Sequence, residues 1–133
     1  MDRDFRVLRY KTADDFLKDM ILLGKPLETS LVGSFDKEGR GSRKDCELPF
    51  HKDGDYTTEY KDKVDIVALY CIKSGKTETL IELSNGDVKS IILQRGECLL
   101  INNKRCRHSR RGRVGDRLLL RVWIKEDLND EAK

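Results

Sequence analysis

Two histidines and one aspartate in this sequence have a spacing that could hold a metal ion. In the segment ELPFHKDGDY, one residue separates His51 from Asp53, and side chains two residues apart leave a strand on the same face. His108 follows strands that hairpins could bring back beside His51. Two imidazoles and one carboxylate on one side of an ion suit Fe(II) and leave its other positions open to ligands. The spacing therefore predicts a metal site made of His51, Asp53 and His108.

Two arginines in the segment RLLLRVWI form the second candidate feature. Alternation along a strand puts four residues on one face: Arg117, Leu119, Arg121 and Trp123. Both faces of this strand are mostly apolar, so we expect it to be covered on both sides, where an unpaired guanidinium is costly. A ligand carboxylate could pair with Arg117 or Arg121 through a bidentate fork. The alternative is pairing with acidic residues across the sheet, for which the candidates are Glu47, Glu78, Glu82 and Glu97.

The elements that would position these residues are one helix and a series of short strands. The segment TADDFLKDMILLGKP has helical spacing, a capping box at Thr12 and Asp15 and a stop signal at Gly24. We expect its apolar stripe to lie against a sheet. The predicted strands are Phe5–Tyr10, Leu27–Phe35, Cys46–His51, Val64–Lys73, Thr77–Leu83, Val88–Leu93, Cys98–Asn102 and Arg117–Ile124. Short strands with tight turns, such as SNGD at Ser84–Asp87, favour an antiparallel sandwich or barrel.

Two polar segments interrupt this pattern. Ser34–Asp45 is charged and contains glycine, so we interpret it as a mobile loop that could close over a site. In the basic segment Lys104–Arg113, six of ten residues are Lys or Arg. The net charge is only +3, so any attraction for a polyanion must be local. We interpret the basic segment as a connection at the rim of the site, with nucleic-acid binding as the alternative.

The composition limits the class of protein. A chain of 133 residues is expected to form a single domain, 1–133, with a helix and loop support at 1–45 and core strands at 46–125. Charged residues make up 38% of the chain, and no apolar run approaches a membrane span or a signal peptide. The four cysteines form no CxxC pair, which favours reduced thiols and a cytoplasmic location.

Taken together, the order H-x-D, H and R on a β-rich chain resembles the Fe(II)/2-oxoglutarate-dependent oxygenase superfamily. The segments that carry the resemblance are LPFHKDGDY, RGECLLINNKRCRH and RLLLRVWI, within Glu47–Ile124, and their spacing is most similar to prolyl-hydroxylase-like enzymes. The resemblance implies a mainly β fold, a double-stranded β-helix (jelly roll) with one N-terminal helix packed on the sheet. It also implies a dioxygenase that hydroxylates or demethylates an unidentified substrate with O₂. Since Asp53 is present, hydroxylation is expected rather than halogenation.

The same resemblance assigns roles to individual residues. Fe(II) would be held by His51, Asp53 and His108. The distal carboxylate of 2-oxoglutarate would pair with Arg117, assisted by a hydroxyl of Tyr70 or Thr79, or else Thr77. Asn103 matches an asparagine that recurs shortly before the second histidine. The residues expected to contact substrate are Arg121, Arg110 and Trp123. No membrane partner is expected, whereas an oligomer or a partner that completes the pocket is possible.

Three other interpretations stay open from the sequence. A cupin-like metal enzyme would use no 2-oxoglutarate and would give Arg117 no role. A β-domain could bind nucleic acid through the basic segment. Cys106 and His108, two residues apart, could share a zinc ion.

Overall fold

The computed structural model describes residues 1–33, 48–54, 59–112 and 115–126, and this part of the chain is mainly β with one helix. Its elements are β1 (Phe5–Arg9), α1 (Ala13–Ile21), β2 (Gly24–Val32), β3 (Leu48–His51), β4 (Ile66–Lys73), β5 (Glu78–Glu82), β6 (Val88–Ile91), β7 (Glu97–Asn102), β8 (Arg107–Arg111) and β9 (Leu118–Glu126). The predicted loop Ser34–Asp45 and the predicted start of a strand at Cys46 lie outside the described residues. The helix in this part of the chain is neither long nor apolar enough to cross a membrane.

The strands form two antiparallel sheets. The large sheet has the order β1-β7-β4-β9-β2, and the small sheet has the order β3-β8-β5-β6. β1 and β2 are therefore the edge strands of the large sheet, so both strands from the N-terminal part of the chain belong to it. The predicted antiparallel architecture with one early helix is confirmed.

Alternation along the central strands of the large sheet gives it two buried faces. On β4, Val67, Leu69 and Cys71 face the small sheet, whereas Ala68 and Tyr70 belong to a second apolar cluster on the outer face. β9 follows the same rule, with its odd-numbered residues inside and its even-numbered residues outside. The prediction that this strand is covered on both sides is confirmed.

The helix α1 covers the outer face of the large sheet. The hydroxyl of Thr12 accepts a hydrogen bond from the backbone N–H of Asp15 (3.1 Å), as the predicted cap requires. The helix ends at Ile21, and Gly24 already belongs to β2. Gly24 is needed there because a Cβ atom would collide with the carbonyl oxygen of Lys125 on the paired strand. It permits a close backbone approach rather than ending the helix.

The basic segment contains a strand, which corrects the prediction of a connection. β8 pairs with β5, and the register places Arg107 opposite Glu82 and Arg111 opposite Glu78. Both pairs form ion pairs on the exposed face of the small sheet. Two positive charges of the basic segment, those of Arg107 and Arg111, are therefore each matched by a glutamate on the neighbouring strand.

Packing of α1 on the large sheet gives a stability prediction. Phe16 is fully buried, and its ring stacks on Tyr70 with the centroids 5.0 Å apart. Phe16→Ala is expected to lower the free energy of unfolding by about 3–5 kcal/mol, because it removes buried surface and leaves a cavity. Urea denaturation measures this change. Ile21→Ala, at a position that is 61% exposed, is the control and should change the free energy by less than about 0.5 kcal/mol. Equal effects of the two substitutions would contradict this packing.

Candidate metal centre

The three predicted ligands meet at one point inside the sandwich. His51 and His108 are direct partners in the β3–β8 pairing, and their ring centroids are 4.4 Å apart. The Nε2 atom of His51 lies 3.2 Å from Oδ1 of Asp53, and the Nε2 atom of His108 lies 3.3 Å from the same oxygen. One ligand atom from each residue lies within 4.8 Å of the others. The group is therefore compact enough to surround a single ion.

The donor chemistry of the two histidines fits a metal ion. Nδ1 of His51 lies 2.7 Å from the carbonyl oxygen of Pro49. A proton on Nδ1 satisfies this carbonyl, so Nε2 is the nitrogen that would give up its proton and bind a metal ion beside Asp53. Burial lowers the pKa of His51, but its hydrogen bonds with Asp53 and Pro49 outweigh that effect and raise the pKa above 6.5. The environment thus favours positive charge at the place where a cation would bind.

Asp53 is only 6% exposed, yet the site keeps it ionised. Burial alone would raise the pKa of this carboxyl, but the neighbouring His108 and His51, together with Arg121, hold it well below 3.8. Its second oxygen, Oδ2, accepts a hydrogen bond from Nε1 of Trp123 (2.7 Å). Since Oδ2 is occupied in this way, Oδ1 is the oxygen presented to the two imidazoles.

Asn103 holds the backbone on which Asp53 sits. Its side-chain oxygen accepts the backbone N–H of Asp53 (3.1 Å), and its amide group donates to the carbonyl oxygens of Asp53 (3.0 Å) and Val64 (2.9 Å). Asn103, which the sequence analysis noted, therefore holds the main chain of Asp53, one of the three candidate metal ligands, in place.

A pocket opens from this cluster between the two sheets. The enclosed space is about 40 Å³, and its mouth is open to solvent. The residues that line it are Val32, His51, Asp53, Leu69, Thr79, His108, Ser109, Arg110, Arg117, Leu119 and Arg121. Apolar walls with a few convergent polar groups are a common lining of small-molecule sites.

Arg117 lines the same pocket and is almost fully buried there. It is 4% exposed, and its Nη1 donates to the hydroxyl of Thr79 (3.0 Å) while its Nε has no partner. Burial and the nearby charge of Arg110 lower the pKa of Arg117 to about 10. Within the described ranges of the chain, no carboxylate forms an ion pair with Arg117. This part of the pocket is therefore suited to an anionic ligand.

Arg121 lies in the same pocket, nearer the histidines. Its guanidinium is 4.8 Å from the ring centroid of Trp123, and its Nη1 is 3.8 Å from Oδ2 of Asp53. The predicted face of β9, with Arg117 and Arg121 on the same side, is the one that the structure shows.

The structure places two other predicted residues outside the pocket. Tyr70 lies on the outer face of the large sheet, where its hydroxyl donates to the carbonyl oxygen of Tyr10 (3.1 Å). The prediction that Tyr70 assists Arg117 is wrong, because even-numbered residues of β4 face α1. Trp123 is 7% exposed and its N–H is bonded to Asp53. Trp123 therefore holds Asp53 in place and does not line the pocket, so the prediction that it contacts substrate is not supported.

Sequence reasoning also missed Gly75, which shapes the pocket. A Cβ atom at this position would lie 2.8 Å from Cβ of Arg117, a distance that forces one of them to move. Gly75 therefore lets Arg117 take its buried position. No sequence signal separates it from an ordinary turn glycine, because its neighbour is 42 residues away.

The basic segment is largely neutralised by protein acids. Besides the pairs of Arg107 and Arg111 described above, Lys104 pairs with Asp65 (3.5 Å) and Arg105 lies 4.0 Å from Asp4. At least four of the five basic residues of this segment that the structure describes therefore have an acidic partner.

Cys106 does not join the metal cluster. Its thiol is buried and lies 3.6 Å from the carbonyl oxygen of Asp4. The zinc interpretation, which needs Cys106 and His108 at one ion, therefore finds no support among the residues that the structure describes.

Comparison with known proteins shows a likeness of fold. No family model matches the chain, and no curated protein matches it. Among solved structures, a prolyl-4-hydroxylase from Pseudomonas putida is similar, with a TM-score of 0.53 and 13% sequence identity. The match covers 74% of this chain and 50% of that chain, so the protein spans about half the length of this neighbour.

The bond from Trp123 to Asp53 gives a prediction for metal binding. Trp123→Phe keeps an aromatic ring but removes the N–H donor that fixes Asp53, so the affinity for Mn²⁺ should fall about 10- to 100-fold. Isothermal titration calorimetry measures this affinity. Tyr60→Phe is a matched control, since Tyr60 packs against Trp123 (5.7 Å between centroids) and its hydroxyl donates to Leu27 rather than to Asp53. Unchanged Mn²⁺ binding by Trp123→Phe would contradict the positioning role.

Proposed function

We propose that this protein is an Fe(II)- and 2-oxoglutarate-dependent dioxygenase built on a double-stranded β-helix. The observation that carries the proposal is the presence, in one pocket, of the His51–Asp53–His108 cluster and of the buried Arg117, which pairs with no acid among the residues that the structure describes. A metal site alone would suit many activities. An anion site beside it suits a cosubstrate that binds the metal at one end and carries a carboxylate at the other.

The cluster supplies the ligands for the ion. His51 and His108 would each bind through Nε2, and Asp53 would bind through Oδ1. The ion would occupy the place where these three atoms now converge. Two nitrogen donors and one carboxylate are the donor set preferred by Fe(II) in oxygenases of this kind. When bound, Fe(II) with 2-oxoglutarate would supply the activation of O₂ that couples decarboxylation of the cosubstrate to hydroxylation of a C–H bond.

The residues around the ion position and protect the reactants. The guanidinium of Arg117 would fork onto the distal carboxylate, with the hydroxyl of Thr79 beside it. Val32, Leu69 and Leu119 line the same space with apolar surface and limit the water that can enter it. Trp123 and Asn103 hold Asp53 so that the ligand geometry exists before the ion arrives.

The placement of Arg117 also distinguishes this proposal from a metal enzyme that uses no 2-oxoglutarate. In such an enzyme, the burial of this guanidinium would lower the stability of the protein, and no anionic ligand would offset that cost. The fold likeness to a prolyl-4-hydroxylase is consistent with the proposal. Hydroxylation and demethylation of the substrate start from the same C–H step, so both are included.

The proposal predicts a visible absorption band when Fe(II) and 2-oxoglutarate are added without oxygen, because chelation of the ion by the 2-oxo acid produces a charge-transfer transition. The wild-type protein should show the band and should convert 2-oxoglutarate to succinate once O₂ is admitted. His51→Ala, Asp53→Ala and His108→Ala should lose both signals while thermal denaturation shows that they remain folded. Full decarboxylation by any of the three variants would refute the assignment.

Arg117→Met tests the anion site separately. The variant should still bind the metal ion, but its affinity for 2-oxoglutarate should fall by about 3–5 kcal/mol, at least about 100-fold, because the carboxylate loses its buried partner. Arg107→Met is the matched control, since Arg107 is half-exposed and pairs with Glu82 outside the pocket. If both variants lose the same affinity for 2-oxoglutarate, the effect comes from the net charge of the protein and not from direct contact with Arg117.

A further inference from the structure

The anion end of the pocket contains two buried guanidinium groups rather than one. Arg110 is 5% exposed and lines the same pocket as Arg117. Its side chain projects from the inner face of β8, as that of His108 does. The side chains of Arg107 and Arg111 project from the outer face, where they pair with glutamates. Within the part of the basic segment that the structure describes, Arg110 therefore lies on the inner face, in a different environment from that of Arg107 and Arg111.

The register brings Arg110 to the group that Arg117 contacts. Arg110 is the direct partner of Thr79 in the β5–β8 pairing, and the hydroxyl of Thr79 accepts a hydrogen bond from Arg117. Thr79 thus lies between the two cationic residues. Burial, followed by the positive charge of Arg110, lowers the pKa of Arg117, as expected for two cationic groups that line one pocket.

We propose that Arg110 is a second anchor for the distal carboxylate of the cosubstrate, beside Arg117, and that the pair makes the pocket selective for 2-oxo acids with a charged far end. This inference rests on the proposed function. A carboxylate has two oxygens and about four acceptor positions, so it can receive donors from two guanidinium groups at once. Each guanidinium has five N–H donors, so Arg110 can contact protein groups and a ligand together.

The spacing along β8 suits such a ligand. Arg110 is two residues beyond His108, which places their backbones about 7 Å apart along the strand. The four C–C bonds of a five-carbon diacid, each about 1.5 Å, span about 5 Å when extended, and the contacts with the metal ion and with the arginines lengthen this reach at both ends. A 2-oxo monoacid of equal length would place a methyl group against two buried cations.

The test compares two ligands that differ only at the far end. Mn²⁺-loaded wild-type protein and Arg110→Met are titrated with 2-oxoglutarate and with 2-oxopentanoate, which has five carbons but no distal carboxylate, by isothermal titration calorimetry. We expect Arg110→Met to bind 2-oxoglutarate about 10- to 100-fold more weakly, as for the loss of a charge-assisted hydrogen bond. Its affinity for 2-oxopentanoate should be unchanged or improved, because the repulsion between the two arginines is gone.

Two results would overturn the inference. Unchanged affinity for 2-oxoglutarate would show that Arg110 does not contact the ligand. An equal loss of affinity for both acids would show that Arg110 maintains the shape of the pocket and does not contact the distal carboxylate. If Arg110→Met does not fold, Arg110→Gln decides the question. Glutamine keeps hydrogen-bond donors but removes the charge, so a loss confined to 2-oxoglutarate supports the inference and wild-type binding of both acids refutes it.

Failure of the proposed function would look different. In that case the wild-type protein itself would not bind 2-oxoglutarate in the presence of the metal ion. If the wild-type protein and the Arg110 variants bind 2-oxoglutarate equally well, only the role of Arg110 is refuted. The role proposed for Arg117 is then unaffected.

Discussion

The site depends on one carboxylate, Asp53, that is buried between the two sheets. Its Oδ1 atom faces His51 and His108 of the small sheet, and its Oδ2 atom accepts the N–H of Trp123 from the large sheet. Burying an isolated carboxylate costs several kcal/mol, and only partners on all sides offset this cost. The same contacts that stabilise the charge therefore fix the distance between the sheets at this point. A cation placed among these groups would complete an arrangement that already exists.

The pocket extends this charge pattern over a short distance. At one end, an ionised carboxylate and two imidazoles are suited to a cation, and at the other end, Arg117 and Arg110 are suited to an anion. β9 supplies Arg121 and Trp123, and Arg117 directly precedes its first residue, so a single segment of the chain contributes to both ends. The other face of that strand packs against α1, which makes its position rigid. The helix thus has no contact with the pocket but supports the strand that shapes it.

Local patterns in the sequence predicted much of this arrangement. The spacing of His51 and Asp53, the alternation of β9 and the cap at Thr12 are local properties, and the structure shows all three. The prediction that Tyr70 lies in the pocket failed because β4 is buried on both faces. Such a strand has no alternation of polar and apolar residues that would show on which face the hydroxyl lies. β8 was missed because its arginines face glutamates 25 and 33 residues away, and pairing across a sheet leaves no local signal. Gly24 and Gly75 serve close approaches between distant segments, and sequence alone could only identify them as turn residues.

The most direct test of the account is the position of a metal ion in crystals grown without oxygen in the presence of Mn²⁺ as a stable substitute for Fe(II). Anomalous scattering recorded near the manganese absorption edge locates the ion without reference to the protein atoms. The account predicts one strong peak at about 2 Å from Nε2 of His51, Nε2 of His108 and Oδ1 of Asp53, a normal length for bonds from nitrogen and oxygen to such ions. A peak at another place on the surface, or none at this cluster at saturating Mn²⁺, would contradict it.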